Sequence, residues 1–273
     1  MIDAKKVLKE HALLPNKALG QNFLISEAAI NTILNAAQLK GKNVLEIGPG
    51  LGTLTEYLCR EAGSVLAVEI DKNMIEVLKS TLHSYSNINV LHRDFLDMSF
   101  KELSDLMPCP IVIAANLPYY VTTPICLRLV KWDADILNMV LMVQKEAAER
   151  FFARPGDRVY GRLSVLMQVR FEISSLLSLP PCCYYPQPTV DSEVVHMKRR
   201  TDTEFLPGFF EFVTAAFSSR RKRLTNNLAS YGKENILNAL EFCKISLFAR
   251  AEELSPDQFY KFFKYASGIE NKY

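Results

Sequence analysis

The sequence predicts an α/β protein, a doubly wound parallel sheet followed by a smaller, all-helical part. Three observations carry this. From Asn43 to about residue 150, apolar runs of strand length alternate with helical patterns. Successive runs end on Gly48, Glu69, Asp94 and Asn116, and in such sheets ligands bind outside the carboxyl ends of the strands. Beyond residues 198–202 only helical patterns remain. A cut near residue 200 therefore separates a domain of residues 1–200 from one of residues 201–273.

In chain order, residues 1–19 carry Lys5, Lys6, Lys9 and Lys17 with little periodicity and read as an exposed arm. Ser26 suits the N-cap of a helix whose apolar positions are Ala29, Ile30, Ile33, Leu34 and Ala37. The strand Asn43–Ile47 runs into Gly48, Pro49, Gly50, Leu51, Gly52, Thr53, Leu54 and Thr55, then into a helical stretch to Cys59. Glycines let backbone approach a ligand closely, and a helix start offers free N–H groups to a carboxylate or phosphate. The next strand, 64–68, ends on Glu69, about 20 residues past the glycines, where a carboxylate can take both hydroxyls of a ribose. A helix over 73–82 and a strand over 88–91 lead to Asp94, able to accept from an adenine amine, with Phe95 alongside. Helices over Phe100–Leu106 and 123–130 bracket the fourth strand, and a fifth covers 136–143. A helix-like run from Gly161, closing strands Phe171–Leu179 and 191–197, and helices at 207–219, 224–231, Lys233–Phe242 and Pro256–Ala266 complete the chain.

The fourth strand delivers Asn116, Leu117, Pro118, Tyr119 and Tyr120 directly after Ile111, Val112, Ile113, Ala114 and Ala115. Pro118 has no N–H, so the turn offers carbonyls with one donor fewer. Asn116 adds a side-chain acceptor and Tyr119 a flat face, which suits a planar group bearing an exocyclic amine, such as adenine. A strand end capped by Asn, with a Pro-Tyr turn packed into a core, is the alternative. The Pro- and aromatic-rich loop 180–188, with Tyr184 and Tyr185, reads equally as a stiff turn or as a second stacking wall. Arg220, Arg221, Lys222 and Arg223, beside Ser, Thr and Asn, suit phosphate-rich RNA or simply form an exposed basic turn.

Composition sets the class. With 273 residues, 49% hydrophobic and 23% charged, the chain can bury a core without disulfides. Six cysteines with no CxxC and no Cys/His ligand spacing read as thiols in a reducing compartment, with no metal. No leader pattern and no apolar run of membrane-spanning length is found, so a soluble, cytoplasmic protein without membrane contact is expected. The net charge of +2 divides into +4 from His196 onward and −2 before it, a mild C-terminal basicity.

Six blocks together resemble one family. They are Gly20 to Leu24 (GQNFL), Glu46 to Gly52 (EIGPGLG), Asn116 to Tyr119 (NLPY), Gly161 to Ser164 (GRLS), Pro188 to Ser192 (PTVDS), and the stretch from Arg220 to Leu228. Their order and spacing are similar to those of the KsgA-type small-subunit rRNA adenine dimethyltransferases, over most of the chain. The resemblance implies a Rossmann-like, class I S-adenosylmethionine-dependent methyltransferase sheet with a small C-terminal all-helical, RNA-binding domain. It implies dimethylation at N6 of two adjacent adenosines near the 3′ end of 16S rRNA, in the 30S subunit, by a monomer with a role in subunit biogenesis. The donor site would use Asn22, Leu24, Gly48, Glu69, Asp94 and Asn116, without a metal. Catalysis would fall to Asn116, Leu117, Tyr119 and Tyr184, the target adenine lying between the two rings. Tyr184 departs from a position where relatives often carry Phe, a change that keeps the ring. RNA would be held by Arg220, Arg221, Lys222 and Arg223. An Erm-type large-subunit methylase, a non-catalytic assembly factor and a nicotinamide dehydrogenase share parts of this pattern. The last leaves the NLPY loop and the basic block unexplained.

Overall fold

The computed structural model describes residues 2–132 and 135–269. These residues form two compact units, Met1–Ala148 with Ile173–Arg199, and Glu149–Glu172 with Arg200–Tyr273. The expected cut near residue 200 coincides with one crossing between them. Glu149–Glu172, assigned above to the first domain, packs instead with the C-terminal segment. The reason lies in the helix Arg162–Arg170, which buries Leu163, Val165, Leu166, Met167 and Val169. That helix packs on Phe209–Ala216 and Pro256–Ala266.

The first unit is built on nine strands: β1 (Phe23–Leu24), β2 (Asn43–Ile47), β3 (Ser64–Glu69), β4 (Ile88–His92), β5 (Ile111–Asn116), β6 (Ile136–Gln144), β7 (Phe171–Leu179), β8 (Tyr184–Tyr185) and β9 (Ser192–Arg199). Seven form one sheet in the order β4-β3-β2-β5-β6-β9-β7. The strands from β2 to β6 pair in parallel, and β9 pairs antiparallel with β6. The chain winds outward from β2 to β4, then returns to lay β5 on the other side of β2. Strand order therefore reverses between β2 and β5, the place where a doubly wound sheet opens a crevice for ligands. Central strands are apolar on both faces because both are covered: Ile111 through Ala115 and Met139 through Val143 are all fully buried.

The N-terminal segment is not an exposed arm. Residues Ala4–Glu10 form a helix capped by Asp3, whose carboxylate accepts from the N–H groups of Lys5 and Lys6. Ala4, Val7 and Leu8 are buried against Phe23, Leu51, Met74 and Val77. Their i, i+3, i+4 spacing makes one narrow apolar stripe, and the exposed lysines on the remaining face mask it in the sequence. After it, β1 pairs antiparallel with β8, Leu24 opposite Tyr184.

The second unit is helical around an aromatic core in which Phe209, Phe212, Phe259 and Phe262 are fully buried. The helix expected over 207–219 is shorter, Phe209–Ala216, and starts after Gly208 at φ +84°. The stretch 224–231 divides into a helix, Leu224–Asn227, and a 3-10 turn, Ala229–Tyr231. Lys233–Phe242 and Pro256–Ala266 form as expected, the latter with Ser255 and Gln258 in a capping box.

Candidate active site

The strand ends of the first unit enclose a cavity of about 280 Å³. Each wall follows from local chemistry. The glycine turn leaves β2 with Gly48 at φ +69° and Gly50 at φ +58°, a left-handed region that favours glycine. A Cβ at Gly48 would touch Pro118 at 3.4 Å, and one at Gly50 would lie 2.9 Å from the Phe23 ring. The glycines thus let the NLPY loop and β1 close on the same space. The helix after the turn, Thr55–Glu61, begins where the sequence places it and runs two residues past Cys59. The amide that reaches the next strand end is that of Gly50, which donates to Glu69 Oε2 at 3.0 Å.

Glu69 ends β3 at 5% exposure. Its Oε1 accepts from the N–H groups of Ile70 and Asp71, both at 2.8 Å. Burial raises its pKa, and the three amides only partly offset that. Asp94 caps the turn Phe95–Asp97 through Oδ1, which accepts from Leu96 N–H at 2.8 Å. Asn116 ends β5, and its Nδ2 donates to the Asn22 carbonyl at 3.0 Å. That bond sets the amide's orientation, leaving Oδ1 as the free acceptor. Gln21 Nε2 donates to Asp71 Oδ2 at 2.7 Å, tying the segment before β1 to the end of β3. Leu117 N–H is held by the Met142 carbonyl at 2.9 Å.

Of the residues singled out in the sequence, Asn22, Leu24, Gly48, Glu69, Asp94, Asn116, Leu117 and Tyr119 all line this cavity. Tyr184 does not; it is 1% exposed in the core beside Leu24. The Tyr119 hydroxyl pairs with that of Ser192 at 2.8 Å, and Tyr184 interacts with both without a hydrogen bond of good geometry. Arg220, Arg221, Lys222 and Arg223 lie in the second unit. Arg220 is committed there: its Nε donates to Glu252 at 2.5 Å and its Nη1 to the Arg158 carbonyl at 2.8 Å. Arg221, Lys222 and Arg223 are exposed.

Two residues gain a role that their motifs did not disclose. Ser192, fully buried, sets the Tyr119 ring from behind through its hydroxyl. Glu46 lines the cavity at 1% exposure with Oε2 unpartnered. Burial lifts its pKa to about 8; the nearby Thr55 hydroxyl opposes this and the Glu69 charge adds to it. The only sequence signal was an acidic residue inside an otherwise apolar strand. Because the folded pKa lies above the unfolded value, the stability tied to this group is complete below about pH 4.5 and is lost as pH rises to about 8. The full loss amounts to roughly 3–5 kcal/mol. Thermal unfolding of the ligand-free chain should therefore show a falling Tm between pH 5 and 8.5, and Glu46→Gln should flatten that fall. A Tm profile unchanged by the substitution would contradict a protonated Glu46.

Among the described residues, no group of three or more His, Cys, Asp or Glu could hold a metal ion, and no helix is long and apolar enough to cross a membrane.

A sheet of this topology with a glycine turn, an acidic strand end and an NLPY loop on one cavity is found in known proteins. The pattern of the ribosomal RNA adenine dimethylase family matches residues 13–267. The chain belongs to that family. Among its relatives is ribosomal RNA small subunit methyltransferase A of Natranaerobius thermophilus, 37% identical over 96% of this chain and 95% of that one. The Staphylococcus aureus protein of the same name is 41% identical over 95% and 92%. Among solved structures, a dimethyladenosine transferase from Plasmodium falciparum superposes with a TM-score of 0.70 at 26% identity, covering 88% of this chain and 95% of that one. The 23S rRNA methyltransferase ErmE gives 0.67 at 26%, covering 90% and 100%. The α/β fold and the rRNA adenine dimethyltransferase class expected from the sequence are thereby established.

Proposed function

We propose that this chain transfers methyl groups from S-adenosylmethionine to N6 of two adjacent adenosines near the 3′ end of 16S rRNA, within the small ribosomal subunit and as a step in its biogenesis. The observation that carries the reading is the fixed Asn116 amide, its Nδ2 spent on Asn22 and its Oδ1 free at the cavity. Relatives named for the small subunit, at 37–41% identity over nearly the whole chain, favour that target over the large one. ErmE, similar in fold, keeps a large-subunit reading as the rival.

The residues fit the donor. Glu69 presents a carboxylate for ribose hydroxyls, Asp94 one for an adenine amine, and Gly48 leaves room where a side chain would meet Pro118. Glu46 lies against the same cavity, protonated while the cavity is empty, and a cationic ligand there would favour its ionised form. Asn22 and Leu24 complete that wall. When bound, the donor supplies an electrophilic methyl on a sulfonium.

The rest is this chain's work. Adenine N6 is a weak nucleophile because its lone pair is delocalised into the ring. Two N–H bonds, to Asn116 Oδ1 and the Leu117 carbonyl, draw N6 toward tetrahedral geometry and localise that pair. So held, N6 would present that pair to the donor's methyl, the sulfur would leave as a neutral thioether with the bonding electrons, and the N6 proton, acidic only after transfer, would pass to water. No strong base is needed; orientation and electrostatics set the rate. In the second round one N–H remains to anchor the amine. Tyr119, steadied by Ser192, offers the stacking face for a base that must leave its stack to enter. Tyr184 would face the base only if β8 opens, since it is 1% exposed. Arg221, Lys222 and Arg223 hold phosphates in a helical RNA-binding part, and the enzyme works as a cytoplasmic monomer.

Transfer of labelled methyl to unmethylated small subunits, naked 16S rRNA and large subunits tests this. Dimethyladenosine on small subunits is expected. Label on large-subunit RNA would move the chain to the rival reading, and binding to small subunits without transfer would leave an assembly factor.

A further inference from the structure

In the second unit the turn after helix Lys233–Phe242 holds two large apolar side chains in water. Leu247 is 50% exposed and Phe248 66%, although their neighbours Ile245 and Ala249 are buried. The turn is well tied. Ala249 N–H donates to the Ser246 carbonyl at 3.0 Å, and Leu224 N–H donates to the Ala249 carbonyl at 2.9 Å. Phe248 N–H donates to Ser246 Oγ at 3.2 Å. The exposure is therefore a property of an ordered turn, and burial of neither ring nor aliphatic chain offsets it within this unit.

The bond from Leu224 to Ala249 sets this turn beside the basic block. The Arg223 guanidinium lies over the Phe248 ring, 4.4 Å from its centroid. Every charged residue along 220–223 and 244–250 is a cation, and of these Arg220 is neutralised by Glu252. A guanidinium stacked on an exposed ring presents a flat, weakly hydrated, cationic surface. Stacking on aromatic and guanidinium planes is how proteins hold unpaired bases, while neighbouring cations take the phosphates.

We propose that Arg223 and Phe248 form a stacking platform for one unpaired nucleobase of the ribosomal RNA, with Arg221 and Lys222 on the flanking phosphates. The proposal rests on the RNA-binding reading of this unit and adds to it a contact that salt does not weaken. Arg220 has no part in it, being a structural anchor.

The test compares full-length Phe248→Ala, Phe248→Trp and the double variant Arg221→Gln/Lys222→Gln. Binding is measured to a single-stranded oligoadenylate, a duplex RNA of equal length and unmethylated small subunits across a salt series. Thermal unfolding of each variant, measured in parallel, reports an intact fold of both units. Phe248→Ala should weaken single-strand and particle binding about tenfold, leave duplex binding alone and keep the salt slope. Phe248→Trp should bind as the parent, its fluorescence quenched by the oligonucleotide. The double charge variant should flatten the single-strand slope by about 1.4. If Phe248→Ala binds single strands as the parent does while the charge variant is weakened, the platform is refuted and the RNA-binding reading stands. If neither variant changes binding, both fall. Loss on particles with unchanged oligonucleotide binding would assign the patch to a ribosomal protein and overturn the nucleobase.

Discussion

Asn116→Ala is expected to lower the rate of methyl transfer by about 10²–10³, the usual cost of removing one preorganised hydrogen-bonding group from a reacting centre. RNA affinity should change less than twofold. The substitution deletes the Oδ1 acceptor for N6, and with it the Nδ2 bond that ties the strand end to Asn22. Single-turnover rates separate the two consequences: a loosened Asn22 segment acts on donor affinity, whereas a missing acceptor acts on the chemical step at saturating donor. Equal loss of turnover and RNA binding would overturn the assignment, because a residue that only holds RNA has no reason to act on the step itself.

Glu69→Ala is expected to weaken donor binding about 100-fold, since a carboxylate hydrogen bond is worth about 1.5–3 kcal/mol and a ribose offers two hydroxyls. The same carboxylate accepts from Gly50, Ile70 and Asp71, so the turn at Gly50 also loses its tether. Glu69→Gln keeps the size and one acceptor and should fall between the two, near tenfold. The pH dependence has a definite sign. Burial raises the Glu69 pKa, the ionised form is the one that accepts from both hydroxyls, and donor affinity should therefore decline as pH drops toward that raised value. Equilibrium binding of labelled donor measures all three. An unchanged dissociation constant in Glu69→Ala would remove Glu69 from the donor site.

The strands were legible because their physics is local. A run such as Ile111 to Ala115 is apolar at every position, which only a strand covered on both faces tolerates. The polar residue that ends each run marks the sheet edge without reference to the rest of the chain. That is why Gly48, Glu69, Asp94 and Asn116 were found one strand at a time and prove to share one cavity. The helices Lys233–Phe242 and Pro256–Ala266 were equally plain from their own periodicity.

What the sequence concealed depends on partners distant in the chain. The stripe Ala4, Val7 and Leu8 is too short to signal a helix, and its stability comes from Phe23, Leu51, Met74 and Val77. The helix Arg162–Arg170 precedes the closing strands, yet its apolar surface is matched by the helices after residue 200. No pattern within it says which core it joins. Tyr184 carries an aromatic face that composition offers to a ligand, and pairing with Leu24 buries it. The four cations from Arg220 to Arg223 look alike in sequence, and only Glu252 and the Arg158 carbonyl distinguish the first from the rest. The sequence by itself determined the α/β order and the strand ends, because backbone periodicity and turn chemistry are encoded within a few residues. Tertiary structure alone decided which side chains face the cavity, which are neutralised and which core each helix joins, because burial and hydrogen-bond partners are set by packing across the chain.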